Sequence, residues 1–146
     1  MINFEEIPEW WALCPNEHCP KASLCLRRQA YLNPPKRPVR WTCLLPTAWQ
    51  GDECKYFQDM EPVMIARGFK SIFKVISNRY DRARVRRSLM GHFGSNGSYY
   101  RYRNGERVLG PAEQKYIKDL VVNCCHCEEE RIRFDQTYIS YNFTDH

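Results

Sequence analysis

Long apolar runs are missing from this 146-residue chain: none approaches the roughly 20 residues that a bilayer-spanning helix needs. A helical membrane protein is therefore not expected. The opening stretch, Met1-Ile-Asn-Phe-Glu-Glu-Ile-Pro-Glu-Trp10, carries neither a basic n-region nor an apolar h-region, so no secretory signal is read there. Enzyme signatures are missing too. There is no P-loop, no G-x-G-x-x-G, no G-x-S-x-G and no H-E-x-x-H. Cys–His catalysis assembles in space and leaves no such trace, but nothing singles out one nucleophile, and no catalytic residue is assigned. Internal repeats are absent as well. These absences point to a cytoplasmic protein, more a binder than an enzyme, with no small-molecule substrate evident.

Cysteine, by contrast, is plentiful. Eight are present, and in a reducing compartment that number favours metal ligation over a disulfide framework. Three of them sit with a histidine in Cys14-Pro-Asn-Glu-His18-Cys19 and Cys25, with Cys43 and Cys54 downstream. Four residues separate Cys14 from Cys19, five separate Cys19 from Cys25, seventeen lead to Cys43 and ten more to Cys54. Short loops close at small entropic cost, so such thiols can converge on one ion. Zinc takes four thiolate or imidazole ligands in a tetrahedron, and Cys14, Cys19, Cys25 and Cys54 can supply them, with Cys43 or His18 as alternates. The spacing departs from the C-x2-C knuckle, which keeps an iron–sulfur cluster open as the alternative cofactor; the plainer reading is a set of buried thiols. Cys124 and Cys127 form a C-x2-C pair, half of a second metal site, and Cys125 is given no shared role with them.

The formal charge of +5 is concentrated. Residues 61–110 hold eleven Lys and Arg against three Asp and Glu, whereas residues 1–60 balance at seven each. A concentrated patch attracts polyanions more strongly than a diluted one. Within it Arg82, Arg86 and Arg87 precede Tyr99, Arg101 and Arg103, and these six are the expected nucleic-acid contacts: guanidinium forks pair with phosphates and tyrosines stack on bases. Arginines also populate solvated helix faces, and period-two tyrosines are ordinary in strands.

An α+β chain is expected, with an irregular metal-stapled N-terminal module over 1–58 and helices flanking a small antiparallel hairpin over 59–146. Seven prolines between Pro8 and Pro46 break the first module. A short helix fits Cys19–Tyr31 after Pro20, an extended connector fits Asn33–Pro38, and a short strand fits Val39–Leu45. Met64, Ile65, Phe69, Ile72, Phe73 and Ile76 follow helical spacing, interrupted by Gly68. Asn78 is placed to cap a helix over Arg79–Phe93. Ser98–Arg103, Asn104-Gly105 and Glu106–Leu109 read as a hairpin with a type I′ turn. Pro111 opens a further helix, and a strand is expected around Tyr138–Phe143. Gly94-Ser-Asn-Gly97 has the letters of a KH loop, but that loop joins two helices and a strand is expected to follow here.

The stretches CPNEHCPKASLC and SLMGHFGSNGSYYRYRNGERVLGPAEQKYI resemble a family of short bacterial proteins of unknown function. The resemblance covers most of the chain. It implies a bacterial, cytoplasmic origin and supplies no activity. A regulatory zinc protein contacting nucleic acid leads the functional expectations. An iron–sulfur or redox protein, and a protein-interaction adaptor using Trp10 and Trp11, stand as alternatives.

Overall fold

The computed structural model describes residues 2–34, 40–50 and 53–143. The chain divides into two compact units, Met1–Pro62 with Tyr141–His146, and Val63–Ser140. Most of the expected Asn33–Pro38 connector lies outside the described residues. Among those that are described, no helix is long and apolar enough to cross a membrane.

The first unit is held by a small core of Ile7, Trp11, Leu13, Leu26, Ala30 and Phe143, with the Trp11 ring edge-on to Phe143 at 5.2 Å. Its one α-helix among the described residues, α1 (Leu26–Leu32), begins later than expected: a 3-10 turn over Ala22–Leu24 comes first. The strand expected at Val39–Leu45 shrinks, in its described part, to a single parallel bridge between Leu13 and Cys43. The Leu13 N–H donates to Thr42 O at 2.9 Å and the Leu44 N–H to Leu13 O at 2.8 Å. The next rung of a parallel ladder would require an N–H at residue 15, which is proline, so the ladder stops.

In the second unit a three-stranded antiparallel sheet, ordered β2-β1-β3, is built from β1 (Val63–Arg67), β2 (Val108–Leu109) and β3 (Gln136–Ser140). Three helices accompany it: α2 (Arg79–Phe93), α3 (Asn96–Arg103) and α4 (Pro111–Cys125). The core joins Ala66 and Phe69 to Val85 and Leu89 of α2, Tyr99 of α3, and Ile117 and Val121 of α4. Asn78 caps α2, its side chain accepting the Tyr80 N–H, and Gly94 ends the helix at φ +85°. Pro111 occupies the first turn of α4. His92 of α2 pins α4 by pairing with the Glu113 carboxylate at 2.6 Å and stacking on Tyr116 at 3.9 Å.

Two expected elements are replaced. The helical spacing from Met64 to Ile76 resolves into β1, a left-handed Gly68 and a 3-10 helix over Lys70–Val75. A 3-10 turn repeats every three residues, so Phe69 and Ile72 face the core, and the pattern imitates an α-helix. The Tyr/Arg hairpin is instead α3. As a strand, residues 98–103 would put Tyr99, Arg101 and Arg103 on one face. The helix instead sends Tyr99 onto Phe69 and Tyr102 onto Phe93, at 5.5 and 4.3 Å between rings. Asn104-Gly105 becomes the stop of α3, with Gly105 at φ +84° turning the chain toward β2. Gly94-Ser-Asn-Gly97 therefore sits at the junction of two helices, with Asn96 and Gly97 already in α3, and a helix rather than a strand follows it. Gly94 ends α2, and the Ser95 side chain caps α3 by accepting the Ser98 N–H.

Gly68 is the tightest turn of this unit. Its φ is +77°, and an added Cβ would stand 2.5 Å from Asp135 Oδ2. That carboxylate caps the 3-10 helix, accepting the N–H of Lys70 at 3.2 Å and of Ser71 at 2.8 Å. Gly68→Ala is expected to destabilise the unit by about 1–3 kcal/mol in urea unfolding. Gly91→Ala, on an open face of α2 with nothing within 4 Å, should instead gain up to about 1 kcal/mol. Equal effects at the two positions would contradict this reading of the turn.

Candidate metal centre and basic cleft

Four thiols come from separated stretches of the first unit, each fixed by backbone hydrogen bonds. The Cys14 N–H donates to Arg27 O at 3.2 Å, and Cys19 O accepts the Ala22 N–H at 3.0 Å. Cys25, the N-cap of α1, bridges to Asp59, while Cys54 O accepts the Phe57 N–H at 3.1 Å. The result is convergence. Cys14, Cys19, Cys25 and Cys54 all line one cavity of about 30 Å³, together with Lys21, Arg27, Arg28 and Trp49.

The alternates lie elsewhere. Cys43 is exposed and lines a different cavity, with Thr42 and Thr47. His18 points to solvent beside Glu17, its side chain 88% accessible. All eight cysteines are unbridged. Among the described residues no group of three or more His, Cys, Asp and Glu side chains stands in metal-holding geometry as it is. The four sulfurs share a cavity without closing on one point.

The electrostatics of the cavity are those of crowded sulfur. Burial pushes the Cys14 thiol above its ordinary range, the Asn16 backbone N–H pulls it down, and Cys25, Cys19 and Cys54 push it up again. Behind the sulfurs lies Arg27, only 3% exposed. Its Nε donates to Tyr56 O at 2.7 Å and one Nη to Ala12 O at 2.8 Å, with the guanidinium 4.4 Å from the Trp11 ring centroid. Trp49 Nε1–H is buried without an acceptor among the described residues. Trp11 is buried completely, so of the two tryptophans expected as an adaptor surface only Trp10 is exposed.

The second unit holds a further thiol group. Cys124 donates weakly to Asp81 O and Oδ1 at 3.9 and 3.8 Å. Cys125, which the sequence left without a role, belongs with Cys124 and Cys127. Its thiol is pushed up to about 11, first by burial, then by Cys124, Asp81 and Cys127. All three pack against the apolar core of this unit.

The expected nucleic-acid residues divide. Arg82, Arg86, Tyr99 and Arg103 line a cleft of about 340 Å³ between α2 and α3, joined by Arg79 and Tyr100. Arg87 and Arg101 are not part of its lining. Tyr99 is 1% exposed and forms part of the core, so its ring is closed to base stacking. Arg86 donates to the Tyr100 hydroxyl at 2.6 Å, and the Arg86 and Arg103 guanidiniums each lie 5.9 Å from the Tyr100 ring centroid. Arg82 Nε donates to Ile76 O at 2.5 Å. Among the described residues, no acidic side chain lines this cleft. Helical spacing finds Arg79 and Tyr100 from the sequence: Arg79 lies three and seven residues before Arg82 and Arg86 on the expected helix, and Tyr100 lies three before Arg103 once residues 98–103 are read as a helix.

Residues 1–143 match DUF6078, a family of unknown function, and the chain belongs to that family. No curated protein and no solved structure matches it.

The Cys125 thiol makes a pH prediction. Above its ordinary value of 9.0 the unfolded chain gives up a proton that the folded one keeps until about 11, so stability falls as pH rises through that window and is unaffected below it. In reduced, chelator-treated protein, the stability difference between wild type and Cys125→Ala should therefore shift against the wild type from pH 9 to 11. A difference independent of pH would contradict the assignment.

Proposed function

We propose that this protein is a non-enzymatic zinc-binding protein, with Cys14, Cys19, Cys25 and Cys54 as ligands and an arginine-rich face on its second unit that contacts nucleic acid in a regulatory role. The observation that carries the metal reading is the sharing of one cavity by four thiols from three stretches of chain. An all-sulfur donor set suits zinc, and four ligands close the tetrahedron and leave no position for substrate. Four thiolates around a divalent ion leave two negative charges. Lys21, Arg27 and Arg28 line the same cavity and oppose that charge, while the Asn16 N–H is already directed at Cys14 sulfur and Trp49 has an indole N–H to give.

The nucleic-acid reading rests on local charge. Among the described residues the four arginines of the α2–α3 cleft share its lining with no carboxylate, and residues 61–110, with eleven Lys and Arg against three Asp and Glu, carry more net positive charge than the whole chain's +5.

Two measurements test the proposal. Cys25→Ser and Cys54→Ser should each lose zinc and unfold the first unit at lower denaturant, because binding energy at a structural site is folding energy; Cys43→Ser should do neither. Binding to a short oligonucleotide should weaken steeply with added salt, through counterion release. Zinc retained in both serine variants would refute the ligand set. Salt-independent or absent binding would refute the nucleic-acid role.

A further inference from the structure

The cleft between α2 and α3 has features that a merely basic surface does not need. It is concave, with a volume of about 340 Å³, and its lining brings together Arg79, Arg82, Arg86 and Arg103. That volume falls in the range of roughly 300–1,000 Å³ that small-ligand sites occupy. Arg86 and Arg103 both line the cleft and both approach Tyr100, each guanidinium 5.9 Å from its ring centroid. Tyr100, 38% exposed, is the most open aromatic of a lining that also holds half-buried Phe73 and buried Tyr99, and its hydroxyl is held by Arg86 at 2.6 Å. The ring is thus oriented before any ligand arrives. Tyr99, buried beneath, feels the same cations: burial pushes its hydroxyl up while Arg103 and Arg86 pull it down.

We infer that this cleft is a nucleotide-sized site for single-stranded nucleic acid, taking one backbone phosphate between Arg86 and Arg103 and laying the attached base against Tyr100. The inference rests on the nucleic-acid reading above and adds to it the form of the strand and the residues that read it. A duplex offers its phosphates on a convex ridge and keeps its base faces stacked inside. A recess lined by four arginines with an exposed tyrosine ring suits a nucleotide whose base is free. Arginine suits the phosphate better than lysine because its planar fork gives two parallel hydrogen bonds. Arg82 is committed to Ile76 O, so it contributes field and shape more than direct contact.

The test is fluorescence anisotropy of the full chain with a labelled single-stranded oligonucleotide, its duplex and a nucleoside monophosphate as competitor, at one fixed salt concentration. Arg86→Ala, Arg103→Ala and Tyr100→Ala should each weaken single-strand binding by roughly tenfold, a typical cost for one specific contact. Arg86→Lys and Arg103→Lys, which keep the charge and the fold, should still lose several-fold, about half the alanine effect in free energy. Arg84→Ala and Arg101→Ala remove the same charge outside the cleft and should cost less than about threefold. Near-equal losses at all four arginines would overturn the cleft while leaving the nucleic-acid reading in place. Tighter binding to the duplex, or equal affinity for the free monophosphate, would also overturn the inference. Absence of binding to every probe would remove both readings together.

Discussion

The first unit depends on where one buried guanidinium finds its acceptors. A fully desolvated arginine is costly unless its donors are satisfied. Arg27 meets that demand with Tyr56 O and Ala12 O, and its own carbonyl accepts the Cys14 N–H. Those positions are not neutral ones. Arg27 lies two residues after Cys25, Ala12 two residues before Cys14, and Tyr56 two residues after Cys54. The hydrogen bonds that make Arg27 tolerable are thus the same ones that draw three of the four thiols to a common cavity. Its charge has a second use there, opposing the negative charge that a thiolate–metal centre would carry. Cys19 arrives by a local turn and needs no such tether.

The second unit follows a different logic. Its core is larger and conventional, and its chemistry lies at the surface. Tyr99 and Tyr102 anchor α3 against Phe69 and Phe93, which leaves Tyr100 and Arg103 facing α2. α2 answers with Arg79, Arg82 and Arg86, spaced three and four apart and so on one side of the helix. The cleft is a consequence of helical period on both walls. Burial of the tyrosine anchors and display of the arginines are two faces of the same packing decision.

Much of this was readable from the chain. Asn78, Gly94 and Pro111 mark helix ends by local backbone chemistry, and the structure puts helix ends there. Three of the cavity's four cysteines, Cys14, Cys19 and Cys25, can be picked out by proximity in sequence, whereas the arrival of Cys54 requires the long-range bonds of Arg27. The failures share a cause. Residues 98–103 and 63–76 each fit two periodicities, and tertiary packing chose between them: Tyr102 stacks on Phe93 from a helix, and Val63–Arg67 gain strand partners only through the distant β2 and β3. Asn-Gly stops a helix as readily as it turns a hairpin, because both need a residue at positive φ. Pro15, which ends the Leu13–Cys43 pairing after one rung, acts only once the partner strand is known.

Whether Cys14, Cys19, Cys25 and Cys54 hold one metal ion is decided by elemental analysis joined to X-ray absorption at the zinc edge, on protein purified anaerobically without added metal. One zinc per chain is expected, surrounded by four sulfurs at about 2.3 Å. Iron with inorganic sulfide, a shell containing nitrogen or oxygen, or no metal at all would contradict it.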